Sequence, residues 1–119
     1  MVTIYKKECK VYMVARNGLD ATDHENLILQ LKDHIQAHNK VYWYIEMENF
    51  KAWTASSYWN DIVLKLPNEE RLKRVALVGN EKWHEQFTEV LTPFTRAHMK
   101  FFGPSEKDLA KEWIEKKNN

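Results

Sequence analysis

The run from Ile45 to Trp59 constrains this chain more than any other: an apolar, aromatic strand signal passes through a short loop directly into a capped helix. Tyr42 to Glu48 is rich in the aromatic and β-branched residues that suit a central strand. Thr54 is a suitable N-cap for a helix that lays Tyr58, Trp59, Ile62, Val63 and Leu66 along one face. Trp53 before the cap and Tyr58 four positions after it fit a hydrophobic staple, which fixes the angle at which the chain enters the helix. A buried strand that feeds a helix belongs to an open α/β sheet, and such sheets take their ligands outside the carboxyl ends of the strands.

The rest of the chain repeats that alternation. Val2, Ile4 and Lys6 alternate with Thr3 and Tyr5, Val11 to Ala15 form a second short strand, and Lys6-Lys7-Glu8 between them suits an exposed hairpin turn. After Asn17-Gly18, Thr22 and Glu25 make a capping box for a helix carrying Leu27, Ile28, Leu31 and Ile35, expected to end near Asn39. The helix after Thr54 stops before Pro67, and Asn68 to Lys73 reads as a polar connection. Val75 to Val78 is uniformly apolar, as a strand covered on both faces should be. Gly79-Asn80 then turns into a helix with Trp83, Phe87, Val90 and Leu91 inward. Ala97 to Phe102 reads as the last strand, and Ser105 with Asp108 caps a terminal helix packing Leu109, Trp113 and Ile114. The expected order is β-β-α-β-α-β-α-β-α: one α/β domain over residues 1–119, with a mostly parallel sheet of four to five strands, an N-terminal antiparallel strand and about four helices.

Charge and cysteine content narrow the function classes. Eighteen Lys and Arg against seventeen Asp and Glu leave a net charge of +1, too small a field to gather nucleic acid or an acidic membrane. Cys9 has no partner for a disulfide, and no apolar run approaches the roughly 20 residues that span a bilayer, so a cytoplasmic location is expected.

Three loops gather at the carboxyl edge of the expected sheet: Asn49 to Trp53, Gly79-Asn80, and Gly103 to Ser105. Each opens a helix whose first N–H groups lack partners and attract negative charge. Glu46 and Glu48, two apart on a strand, point to one face; a catalytic carboxylate pair is one reading, and the better one is that they cap neighbouring helix N-termini or meet Lys and Arg. His34 and His38 sit one helical turn apart, the spacing that lets two imidazoles share a metal, but no third ligand is evident and a solvated helix face is favoured. Arg71, Lys73 and Arg74 follow Glu69-Glu70 and read as a solvated loop. Cys9 reads as a small packed or edge residue. Trp43, Trp59, Trp83 and Trp113 are assigned to core, whereas Trp53, on a loop at the sheet edge, must either roof the core or line a pocket.

With these elements placed, Glu46-Met-Glu-Asn-Phe-Lys-Ala-Trp-Thr54, Val75-Ala-Leu-Val-Gly-Asn-Glu-Lys-Trp83 and Pro93-Phe-Thr-Arg-Ala-His-Met-Lys-Phe-Phe102 together resemble the bacterial SpoIIAA-like family over nearly the whole chain. The resemblance implies a STAS-type fold, also likened to CRAL-TRIO lipid carriers. In the best-understood STAS relatives, a serine in an Asp-Ser-Ser-Gly sequence at a helix start is phosphorylated to switch partner binding. Carried over, that role falls on Ser56 or Ser57, although Ala55 stands at the acidic position and Tyr58 at the glycine.

The reading that follows is a non-enzymatic binding or regulatory module. It engages an unknown protein partner, or a small apolar or anionic ligand, through Glu46, Glu48, Asn49, Phe50, Trp53, Thr54, Gly79 and Asn80. No catalytic residues, metal or cofactor are assigned. The first alternative is a carrier of lipids or other hydrophobic molecules, for which a chain of this size must give up core to form a cavity of roughly 300 to 1,000 Å³. The second is a small enzyme using the edge carboxylates. A short antiparallel edge and exposed aromatics make homodimerisation a further expectation.

Overall fold

The computed structural model describes residues 2–16, 21–48, 71–79 and 98–116. Val2–Lys7 (β1) and Lys10–Arg16 (β2) form a hairpin around a two-residue turn, Glu8-Cys9, in which Glu8 takes the left-handed φ of 55°. Turns this short need a positive φ to match the strands' twist, and the chain supplies it here without a glycine. Helix α1 (Ala21–Ala37), strands β3 (Val41–Glu48), β4 (Leu72–Val78) and β5 (His98–Phe102), and helix α2 (Lys107–Glu115) follow. The strands make one sheet in the order β1-β2-β3-β4-β5. The first pair is antiparallel and the other three are parallel. The sheet is therefore mixed, and two helices stand among the described residues where about four are expected. The predicted helices from Thr54 to Leu66 and after Asn80 lie outside the described residues.

Side-chain alternation divides the core into two layers. One face carries Val11, Met13, Val41, Trp43, Ile45, Val75 and Leu77, covered by Leu27, Leu31 and Ile35 of α1. These three helical residues recur every fourth position, so they form a single buried stripe. The other face carries Tyr12, Tyr42, Tyr44, Ala76, Val78 and Phe102 under Ala110 and Ile114 of α2, with Cys9 and Trp113 packed at its margin. Strand β3 supplies both layers and is buried from Val41 to Met47, which explains why its sequence lacks a polar alternation.

Local boundaries depart from the expected ones for identifiable reasons. Thr22 lies inside α1, which begins at Ala21, and so does not cap it. Ser105 is in the turn before α2; Glu106 occupies the N-cap, and its carboxylate Oε1 accepts from the Gly103 N–H at 2.8 Å. Leu109, expected in the core, is 53% exposed, because α2 faces the sheet with Ala110 and Ile114 instead. Strand β4 starts at Leu72, ahead of the expected Val75, and its register slips there: Val41 pairs with Leu72 but Tyr42 with Arg74. The extra residue, exposed Lys73, reverses the strand's parity, so Leu72 joins Val75 and Leu77 in the α1 layer.

Two arginines that the sequence presents as a solvated cluster flank this slip. Arg71 Nη1 donates to Ile35 O at 3.2 Å and Gln36 O at 3.4 Å, at the end of α1. On the opposite face Arg74 Nη1 donates to Trp113 O at 3.0 Å and Lys116 O at 2.8 Å, and its guanidinium lies 5.5 Å from the Tyr42 ring and 5.6 Å from the Trp113 ring. Both supply a cation and donors where a helix leaves its last carbonyls unpaired. Replacing Arg74 with alanine is expected to cost about 1.5 kcal/mol in urea unfolding, the usual scale of hydrogen bonds to a charged group. Arg74→Lys should recover less than half, because an ammonium cannot both bridge two carbonyls and stack between two rings.

Candidate functional site: a charged rim at the carboxyl edge of the sheet

Strands β2 to β5 run in the same direction, so Arg16, Glu48, Gly79 and Gly103 come to one rim of the sheet. Along β3 the alternation that buries Trp43 and Ile45 on one side sends Tyr44, Glu46 and Glu48 to the α2 side. There the first residue of α2 meets them. Lys107 Nζ lies 2.9 Å from Glu46 Oε2 and 3.2 Å from Glu48 Oε1, and Arg16 Nε reaches Glu48 Oε2 at 2.8 Å. Tyr44 donates its hydroxyl proton to Glu46 Oε1 at 2.7 Å. The result is an alternating chain, Arg16, Glu48, Lys107, Glu46, Tyr44, running from solvent into the core: the Glu46 side chain is 7% exposed and the Arg16 side chain 58%.

This resolves a local conflict in the sequence. A lysine in the first turn of a helix opposes the macrodipole, and the two carboxylates offset that repulsion. Their ion pairing matches the favoured reading of Glu46 and Glu48. The Glu48 carboxyl is held down at about 2 by the neighbouring Glu46 carboxyl first, which shares a proton with it as the pair titrates, and then by hydrogen bonds from Lys107 and Arg16. Lys107 is raised by the same contacts, with Glu46 leading. Tyr44 is pushed well above the phenol range by burial, reinforced by Glu46. On the same layer, Tyr12 donates to Glu115 Oε2 at 2.5 Å and stacks on exposed Tyr5 with ring centroids 4.7 Å apart.

Because the folded Glu48 value lies below the ordinary carboxyl value of 4.5, the unfolded chain binds the proton more readily. The rim's contribution is therefore complete above about pH 4.5 and lost as the pH falls toward 2. Unfolding free energies of the wild type and Glu48→Gln, measured between pH 5.5 and 2.5, are expected to converge as the pH falls. A constant difference across that range would contradict the assignment.

The structure brings together only part of the predicted site. Glu46 and Glu48 are at the rim. Gly79 is buried there, and its N–H already donates to Phe102 O at 3.1 Å, so it is committed to the sheet rather than presented to an anion. Asn49, Phe50, Trp53, Thr54, Asn80, Ser56 and Ser57 lie outside the described residues. Arg16 and Lys107 are rim residues that sequence reasoning missed. For Lys107 a signal existed, since a cation at a helix start calls for a nearby carboxylate; for Arg16 none did, because its partner is 32 residues away on another strand.

The His34 side chain also differs from expectation. It is 5% exposed rather than part of a solvated face, and its imidazole is lowered in pKa by burial first, then by His38 and Lys6. Among the described residues no helix is long and apolar enough to cross a membrane, and no three His, Cys, Asp or Glu side chains stand together as metal ligands.

Comparison with known proteins gives a consistent picture. The model of the SpoIIAA-like family matches residues 11–115. Among solved structures, the fold is similar to that of an uncharacterised DUF3478-family protein with a SpoIIAA-like fold from Shewanella loihica PV-4. The TM-score is 0.54 at 21% identity, over 96% of this chain and 92% of that one. No curated protein matches.

Proposed function

This chain belongs to the SpoIIAA-like family, and from that premise we propose that it is a non-enzymatic, cytoplasmic binding module whose partner engages the carboxyl rim of the sheet. The observation that carries this reading is the alternating chain of Arg16, Glu48, Lys107 and Glu46. Fixed charges of both signs, set on strand ends and a helix start, give a partner an orientation-specific pattern to match. Glu48, kept ionised far below neutral pH, is poised for pairing rather than for proton transfer. Phe50 and Trp53, expected from the sequence on the loop after β3, supply apolar contact in this reading, and Ser56 or Ser57 is where phosphorylation would regulate it.

The carrier reading has one observation in its favour, an open groove of about 490 Å³ lined by Leu109, Glu112, Trp113 and Glu115 of α2 and by Lys116 just after it. Three of those five residues are charged, which suits an alkyl chain poorly.

Native mass spectrometry of the protein purified gently from its host separates the two, and it also reads the homodimer that Tyr5, half-exposed on edge strand β1, would favour. A reproducible added mass in the lipid range would establish the carrier. For the binding module, a photo-crosslinker placed at Arg16 is expected to give a discrete adduct that one at Lys73, at the opposite end of the sheet, does not. Equal labelling from both positions would overturn the rim assignment.

A further inference from the structure

The net charge of +1 averages two unlike ends of the sheet. At the carboxyl rim the charges pair with one another. The amino end, where β1 finishes and β2 to β5 begin, gathers lysines instead. Lys7 pairs with Lys10, Lys10 with Tyr42, Tyr42 with Arg74 and Arg74 with His98, so one row of residues crosses the sheet there. With strands about 4.8 Å apart the row is about 19 Å long. Lys6 precedes Lys7, Lys40 leads into β3, and Lys73 is the extra residue of the β4 slip. Lys6, Lys7, Lys40 and Lys73 are exposed and Lys10 is half-buried. Among the described residues none of these five forms an ion pair. Glu8 is the acid of the hairpin turn, and Glu69-Glu70 precede Arg71 in the sequence, where Arg71 and Arg74 match them in number. Both arginines are engaged at helix ends, so the outward cations are all lysines.

We propose that this amino end is a docking face for an anionic lipid surface. Charge complementarity carries the choice of partner. A lysine ammonium is a hydrated point charge on a flexible stem, suited to an attraction spread over many headgroups rather than to a bidentate grip on one phosphate. Each lysine held near such a surface raises affinity about fivefold, and Glu8 opposes them. Val41, Tyr42 and Leu72 are buried between the lysines, so the row offers no stacking platform for the bases of a nucleic acid. The open groove that could take a peptide side chain is lined by α2 residues and Lys116 rather than by these lysines. With no apolar wedge in the row, the contact is electrostatic and reversible. Strands β2 to β5 run from this end to the carboxyl rim, so a docked molecule turns the rim away from the lipid. The face is separate from the rim and does not depend on the role given to it.

The test is co-sedimentation of the full chain with vesicles of phosphatidylcholine containing about one-third phosphatidylglycerol, against vesicles of phosphatidylcholine alone. Binding to the anionic vesicles only is expected. Raising the salt from about 0.1 M to about 1 M shortens the screening length from about 10 Å to about 3 Å and should release the protein. Lys7→Gln with Lys10→Gln should weaken binding roughly twentyfold, about fivefold for each lysine, and Glu8→Gln should strengthen it. Lys100→Gln with Lys111→Gln changes the net charge equally but away from the row, and should cost less than about twofold. Absence of vesicle binding, binding that survives high salt, or equal losses from the two lysine pairs would overturn the proposal. So would a polyglutamate peptide or a DNA duplex that binds through Lys7 and Lys10 when the vesicles do not.

Discussion

Trp43→Ala is expected to lower the unfolding free energy by about 4 kcal/mol, within the 3–5 kcal/mol that removing a fully buried large aromatic costs. Trp43 is 0% exposed and sits in the middle of the central strand, between Ile45 and Val41 in the layer that Leu27, Leu31 and Ile35 cover. Its cross-strand neighbours are Val11 on β2 and Val75 on β4. Truncation leaves a cavity bounded by the sheet backbone on one side and a regular helix on the other, neither of which can collapse into it without breaking hydrogen bonds. Domains of this size hold only about 5–15 kcal/mol in total, so the variant should be close to unfolded at 37 °C. Chemical denaturation read by far-UV circular dichroism measures the loss. Trp43→Phe should cost about half as much, and Tyr5→Ala, at a half-exposed edge position, under about 1 kcal/mol. A small effect of Trp43→Ala would mean that the α1 layer is not the main core.

The second large effect is expected at Lys107. Lys107→Met keeps most of the side-chain volume but removes the ammonium that Glu46 and Glu48 share. Glu48 retains Arg16. Glu46, 6% exposed, is left with the Tyr44 hydroxyl. Breaking one side of a buried pair typically costs about 3–5 kcal/mol; with the Lys107 side chain 42% exposed, solvent screens the pair and about 2–3 kcal/mol is expected. The diagnostic is rescue: Glu46→Gln in the Lys107→Met background should restore most of the loss, because the uncompensated charge is gone. Non-additivity of this kind, read from a double-mutant cycle in urea, distinguishes ion pairing from simple packing. Additive costs would show that Lys107 acts through its alkyl stem alone.

Both predictions rest on β3, the element most legible in the sequence. Its aromatic and β-branched run names it a central strand, and the two-residue spacing of Glu46 and Glu48 puts both on one face. The N-terminal hairpin and the buried stripe of α1 followed from spacing in the same way. Arg71 and Arg74 did not, because capping a helix end depends on where two distant elements finish, and a basic cluster looks the same whether it is solvated or docked. His34 was misread for a related reason: helical periodicity gives the face of a residue, but the hairpin turn that covers that face comes from another part of the chain.

What the sequence determined by itself is the local physics: which segments pair as strands, which coil as helices, and which side chains share a face, since these follow from periods of 2 and 3.6 residues and from turn chemistry. The tertiary structure alone decided which charges meet. The two carboxylates of β3 became a paired rim only because parallel strands end together and α2 starts with its lysine above them, a coincidence in space among residues 32 and 59 positions apart that no local pattern encodes.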